Sequence, residues 1–135
     1  MTTPLYALMG FVFWILLLLL GIAVSRVVAV TCGRAQPDSF PAGVPHGGDM
    51  YWRLNRAHLN CLENLPLFAA VVLTGFVTGM ESATIDVLSR VYIAGRVAQS
   101  VTHISSGSPA AINIRFGFFL LQAVCLTWMA CLVVS

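Results

Sequence analysis

An uncharged run from Leu5 to Ser25 opens the chain. At about 1.5 Å of rise per residue it is long enough to cross a hydrocarbon layer of about 30 Å as a helix. It has neither the basic leader nor the small-residue cleavage site of a secretory signal, so a retained first span is expected over about residues 5–30. A second span is expected over about residues 52–78, polar in its first half and apolar from Leu65 to Val77, with Pro66 kinking it where the character changes. A third, over about 83–105, carries Asp86, Arg90 and Arg96. A turn-rich break at Ser105-Ser-Gly-Ser-Pro109 precedes a fourth, over about 110–134, whose single charge is Arg115. Between Cys32 and Tyr51, Pro37, Pro41, Pro45 and several glycines mark an irregular surface connection rather than a domain.

The pattern predicts an all-α membrane protein, a single four-helix domain over residues 1–135. Composition agrees: 59% of residues are apolar, 9% are charged and the mean hydropathy is +0.89, whereas a soluble domain carries about 25% charge. A net charge of +2, with the basic residues inside the spans, argues against nucleic-acid binding. No glycine-rich phosphate loop, nucleophile elbow or HExxH motif is present. Cys32, Cys61, Cys125 and Cys131 lack CxxC spacing, so neither a metal site nor a disulfide is expected. Cys61, beside the polar stripe described next, is the thiol to probe by alkylation.

The chemistry concentrates at the start of the second span. Arg56, Asn60 and Glu63 follow at i, i+4 and i+7, with Arg53 one turn earlier on the same helix face. A cation, an amide and an anion thus stand in order on one stripe. The third span repeats the arrangement with Arg96, Gln99 and His103. Ionisable groups at membrane depth are expensive and normally mark a site. Two such stripes at one depth suit a zwitterionic, peptide-sized ligand, although they would also serve as glue between helices. Asp86 and Arg90, four apart, are expected to pair locally, His58 to make a helix contact, and His46 to be solvated. All seven basic residues are arginine; the bias suits bidentate binding of an anion, and arginine-rich codon usage would produce it too.

Arg53-x-x-Arg56-Ala-His58-x-Asn60-x-x-Glu63-Asn-x-Pro66 in the second span and Gly95-Arg96-Val-Ala in the third resemble the MAPEG family, membrane-associated proteins in eicosanoid and glutathione metabolism. The resemblance extends over the four-helix length and the loop ending in His46-Gly-Gly. It implies a homotrimer that binds glutathione between subunits and opens toward the cytoplasm and the lipid. By position, Arg56, Asn60 and Glu63 resemble the family's second-helix glutathione contacts, with Arg53 beside them. Arg34 resembles a loop arginine near the ligand carboxylates, and Arg96, Gln99 and His103 resemble third-helix contacts supplied by the neighbouring subunit.

Arg115 is the implied stabiliser of the glutathione thiolate, with Ser108 or Ser105 as an accompanying hydrogen-bond donor. Phe116 and Phe119, with Phe118 and Trp52, would wall the site of a lipophilic electrophile or lipid hydroperoxide. Two features depart from the specialised synthases: Leu59 stands where some carry arginine, and phenylalanines replace a fourth-helix tyrosine. A general, bacterial-type glutathione transferase is therefore the expectation, with peroxidase activity as a variant. A non-catalytic lipid-binding or scaffold member of the family is the alternative. A small membrane transporter comes third, because a drug exporter of this size would be expected to carry an acidic residue in its first span.

Basic residues near span ends, Arg26, Arg34, Arg53, Arg56 and Arg115, share the side of the first and third connections. The positive-inside rule puts that side in the cytoplasm, and so both termini outside it, in the inner membrane if the source is bacterial. A periplasmically active reporter fused after Ser135 should therefore be active and a cytoplasmically active one silent; the opposite result reverses the orientation.

Overall fold

The computed structural model describes residues 2–135 and contains four helices: α1 (Thr3–Thr31), α2 (Asp49–Val77), α3 (Ala83–Ser105) and α4 (Pro109–Val134). Every boundary lies within three residues of the sequence expectation. The helices run alternately up and down. Thr2, Gly75, Met80, Ile85 and Val133 gather at one end, while Arg26 meets Tyr51 and Arg53 meets Ile104 at the other. The chain is a membrane protein: α1, α2 and α4 are each long and apolar enough to cross a bilayer. α3 is more polar, and the reason is its place in the bundle. Its Ser89, Arg96, Gln99 and Ser100 are all buried against the other helices, so those polar groups are kept away from lipid.

Local chemistry sets the helix ends. α2 stops at Gly79, whose φ of +69° lets the Met80 amide donate to the Gly75 carbonyl at 2.9 Å, a turn that satisfies otherwise orphaned carbonyls. α4 starts with Pro109 in its first turn, and Ser108 Oγ accepts from the Ala111 amide at 3.2 Å. Pro66 lies inside α2, which continues as one helix to Val77. The loop after α1 is folded back on the bundle. Arg26 Nε donates to Tyr51 Oη at 2.7 Å, and its guanidinium lies 5.2 Å from the Phe40 ring centre. His46, expected to be solvated, instead packs edge-on against Phe40 and Tyr51.

Three aromatic rings hold α1, α2 and α3 together. Phe68 and Tyr92 stack with centroids 4.3 Å apart, and Phe11 meets both edge-on at 6.2 Å. Met129 brings α4 to the same cluster, and all four side chains are at most 1% exposed. By contrast Phe13, Leu17 and Leu20 of α1 face outward, as expected of a helix that is apolar all round and meets lipid or other membrane helices. Arg90, expected to pair with Asp86, reaches across to Thr3 Oγ1 at 3.5 Å.

Deleting a buried aromatic ring leaves a cavity that costs about 3–5 kcal/mol. Phe68→Ala is therefore expected to lower the unfolding midpoint in detergent sharply, whereas Phe13→Ala should change it little. Equal midpoints for the two variants would show that the cluster does not hold the bundle.

Candidate functional site

Arg96 is the starting point, because it is 1% exposed in the middle of a membrane bundle. Its Nη1 donates to Asn60 Oδ1 on α2 and to Gln99 Oε1 one turn along α3, the latter at 3.0 Å. The guanidinium carbon lies 5.9 Å from the Phe11 ring centre and 5.8 Å from that of Tyr92, within cation–π range. Two neutral amide oxygens and two aromatic faces therefore surround the charge, and Nε and Nη2 are buried without an acceptor among the described residues.

The α2 and α3 stripes meet within the protomer, where Arg96 bonds Asn60. Close packing permits this: Ala57 and Cys61 on α2 are 1% and 0% exposed, and Cys61 Sγ lies 3.3 Å from Ser100 Oγ. Small side chains let the two helix backbones approach, which puts Asn60 within reach of Arg96.

Arg96 also decides which way the amides face. A guanidinium only donates, so Asn60 and Gln99 must both turn their oxygens toward it. Gln99 Nε2 then donates to the backbone carbonyl of Arg115 at 3.2 Å. Asn60 Nδ2 is left on the other side of its amide, as a donor on a half-buried position of α2. The inward face of the stripe is thus occupied by oxygen, and the outward face offers N–H.

Around His103, at the end of α3, the charges of Arg115, Arg56 and Arg53 all bear on the imidazole. Arg53 is partly committed, because its Nε donates to the Ile104 carbonyl at 3.0 Å and closes the last turn of α3. Arg56 is exposed and Arg115 is half-buried. Glu63 is also exposed, about 10 Å further along α2 by helical rise. The arrangement is a cationic end with donors facing outward and one carboxylate a short distance deeper.

The other expected site residues are placed differently. Arg34 lies across the bundle end, in a hollow of about 530 Å³ with Ser25, Phe40, His46 and Tyr51; within one chain it does not join the stripe. Phe116 and Phe119 are exposed on α4 with ring centres 6.3 Å apart. Phe119 also borders a hollow of about 240 Å³ whose wall includes Asn64, Tyr92 and Gln122. Tyr92 Oη and Gln122 Oε1 are both buried without a partner among the described residues. Ser105 Oγ donates to Val101 O at 2.7 Å, which uses its one hydrogen, whereas Ser108 Oγ only accepts in its cap and keeps its hydrogen free.

Sequence reasoning passed over Gln122. An amide in the middle of an otherwise apolar fourth span was the available signal, since it needs a partner wherever the helix packs.

An all-helical membrane bundle with a cationic, donor-rich end is the class that fold and geometry define. The chain belongs to the MAPEG family, whose model matches residues 4–135. It is thus a membrane protein of the family concerned with glutathione and eicosanoid metabolism. No curated protein matches it.

The thiols report on this packing. Cys32 is exposed, whereas Cys61 and Cys125 are buried. A water-soluble maleimide should modify Cys32 in the folded, detergent-purified protein and reach Cys61 and Cys125 only after denaturation, as read by peptide mass spectrometry. Modification of Cys61 at the rate of Cys32 would contradict the α2–α3 contact.

Proposed function

We propose that the protein is an integral-membrane glutathione transferase that conjugates the glutathione thiolate to lipophilic electrophiles. The observation that carries this reading is the meeting of the polar stripes at one end of the bundle, where Arg96 bonds Asn60, Arg53 bonds the Ile104 carbonyl beside His103 and Gln99 bonds the Arg115 carbonyl, with Glu63 nearby on α2. Glutathione has two carboxylates, two amides, one ammonium and one thiol. The arginines, with Gln99 and His103 beside them, suit the carboxylates. Asn60 Nδ2 suits a peptide carbonyl, and Glu63 is the available partner for the ammonium.

Arg56 and Glu63 are exposed on one protomer, which lipid tails would not satisfy. A homotrimer, as the family resemblance implies, covers that face with a second copy and lets Arg34 of that copy reach the ligand. The recess then opens to the cytoplasm, with both termini on the other side.

Chemistry follows from one charge. A free thiol of this kind has a pKa of about 8.5, and a guanidinium beside it favours the thiolate. One unit of lowering corresponds to about 1.4 kcal/mol, within reach of a single arginine. Arg115 serves this role, with the free Ser108 hydroxyl as a further donor. The thiol proton leaves to cytoplasmic water. The sulfur then attacks the electrophilic carbon, forming a C–S bond as the leaving group departs with the electron pair. With a lipid hydroperoxide as acceptor, two glutathiones are oxidised to the disulfide while the hydroperoxide is reduced to alcohol and water. Phe116 and Phe119, on the lipid-facing side of α4, provide the apolar approach for either substrate.

Calorimetry of glutathione binding to the purified protein, with thiolate absorbance near 240 nm followed in parallel, tests the reading. Saturable binding is expected in wild type, at least about tenfold weaker binding in Arg56→Ala and Glu63→Ala, and a thiolate signal that Arg115→Ala loses while binding persists. Failure of wild type to bind glutathione would overturn the transferase reading in favour of a lipid-binding or scaffold role.

A further inference from the structure

Two buried glutamines link the third and fourth helices beside Arg96. Gln99 and Gln122 are 7% and 1% exposed. Gln122 Nε2 donates to Gln99 Oε1 at 3.1 Å and to the Phe118 carbonyl of its own helix at 2.8 Å. An amide nitrogen carries two hydrogens, so both are committed. Gln99 Oε1 also accepts from Arg96, and Gln99 Nε2 donates to the Arg115 carbonyl.

The bonds form a ladder with one polarity. Arg96 compels Gln99 to present oxygen, and Gln122 donates to that same oxygen and so disfavours a flip of the Gln99 amide. Gln99 nitrogen is thereby held against α4, at the backbone of Arg115. Hydrogen bonds in a low-dielectric interior are strong when complete and costly when broken, so the ladder resists both sliding and rotation of α4.

We infer that Gln122 is a positioning residue: acting through Gln99, it fixes the depth and rotation of α4 at Arg115, and hence where that guanidinium stands relative to Arg56 and Asn60. The catalytic consequence rests on the thiolate reading above; the mechanical one does not. A side chain that merely filled space would be replaceable by an apolar one of similar length. A positioning residue would not, because its effect runs through a directed bond to Gln99.

The test compares Gln122→Met, which keeps length and burial but removes the ladder donor, with wild type in the full-length, detergent-purified protein. Amide hydrogen exchange in the first two turns of α4, Pro109 to Phe118, is expected to accelerate about tenfold, while α1 exchanges as before. Glutathione affinity is expected to stay within about threefold of wild type. The thiolate titration midpoint is expected to rise by about half a unit or more, a threefold or larger loss of thiolate at a given pH.

Unchanged exchange over Pro109 to Phe118 overturns the inference. Should Gln122→Met fail to fold, Gln99→Glu gives the decision: its carboxylate still accepts from Arg96 and Gln122 but cannot donate to the Arg115 carbonyl, so unchanged exchange in α4 of that variant also overturns it. If α4 loosens but wild type shows no thiolate at any pH, the transferase reading falls and the mechanical role of Gln122 stands. If α4 loosens and the wild-type thiolate midpoint is unmoved by the variant, the link from Gln122 to the chemistry of Arg115 is refuted.

Discussion

A guanidinium sealed among four membrane helices constrains everything near it. Placing arginine at the centre of a single membrane helix costs about 3 kcal/mol on insertion scales, and more where no polar partner is found. Here the charge of Arg96 is met by a ring face from α1, an amide from α2, and a ring face and an amide from α3. The last amide passes the constraint to α4 through Gln122 and the Arg115 carbonyl. Each helix is thus held in register by the need to accommodate one cation. Rotating α1, α2 or α3 would leave that cation short of a partner, and rotating α4 would break the bonds to Gln99, which makes the polar centre a determinant of helix order as well as a cost.

The same constraint gives this end of the bundle its chemical sign. Because Arg96 takes the oxygens of Asn60 and Gln99, the nitrogens face away from it, and the side chains beyond them are arginines. A surface of donors is complementary to carboxylates and peptide carbonyls. Glu63, displaced along α2, adds one acceptor, so this polar face has a direction as well as a charge. Arginine suits this better than lysine, since its planar fork pairs with carboxylates in two places and loses less freedom for each bond made.

The four helices were legible in the sequence because three of them are long apolar runs and proline, glycine and serine mark where the chain turns. The stripe from Arg53 to Glu63 was legible for the same reason: charge stands out against an apolar background. What the pattern could not supply was the partner of each polar group. Arg53 Nε, for instance, bonds the Ile104 carbonyl at the end of α3, and Ser105 bonds its own helix. Arg96 read as a ligand contact, and within the protomer its Nη1 bonds Asn60 and Gln99. Helical periodicity gives the face a side chain occupies. It does not give the rotation of one helix against the next, which here depends on small residues such as Ala57, Cys61 and Ser100 permitting close approach. Gln122 illustrates the converse: a single amide in an apolar run carries little periodic signal, and its importance appears only when α3 is set against α4.

Burial of the thiols has a further consequence for a chain embedded where lipophilic electrophiles accumulate. The sequence has no lysine, so it presents no side-chain amine to acylation or Michael addition, and its guanidiniums are poor nucleophiles at neutral pH. Cys61 and Cys125 are shielded by the helices that enclose them. Of the four cysteines, Cys131 on the outer face of α4 is the one left open to the hydrocarbon layer in the protomer, with Cys32 in the aqueous loop. The scaffold is therefore largely inert toward alkylation from the bilayer, and damage from that side would begin at Cys131, near the end of the bundle opposite Arg115.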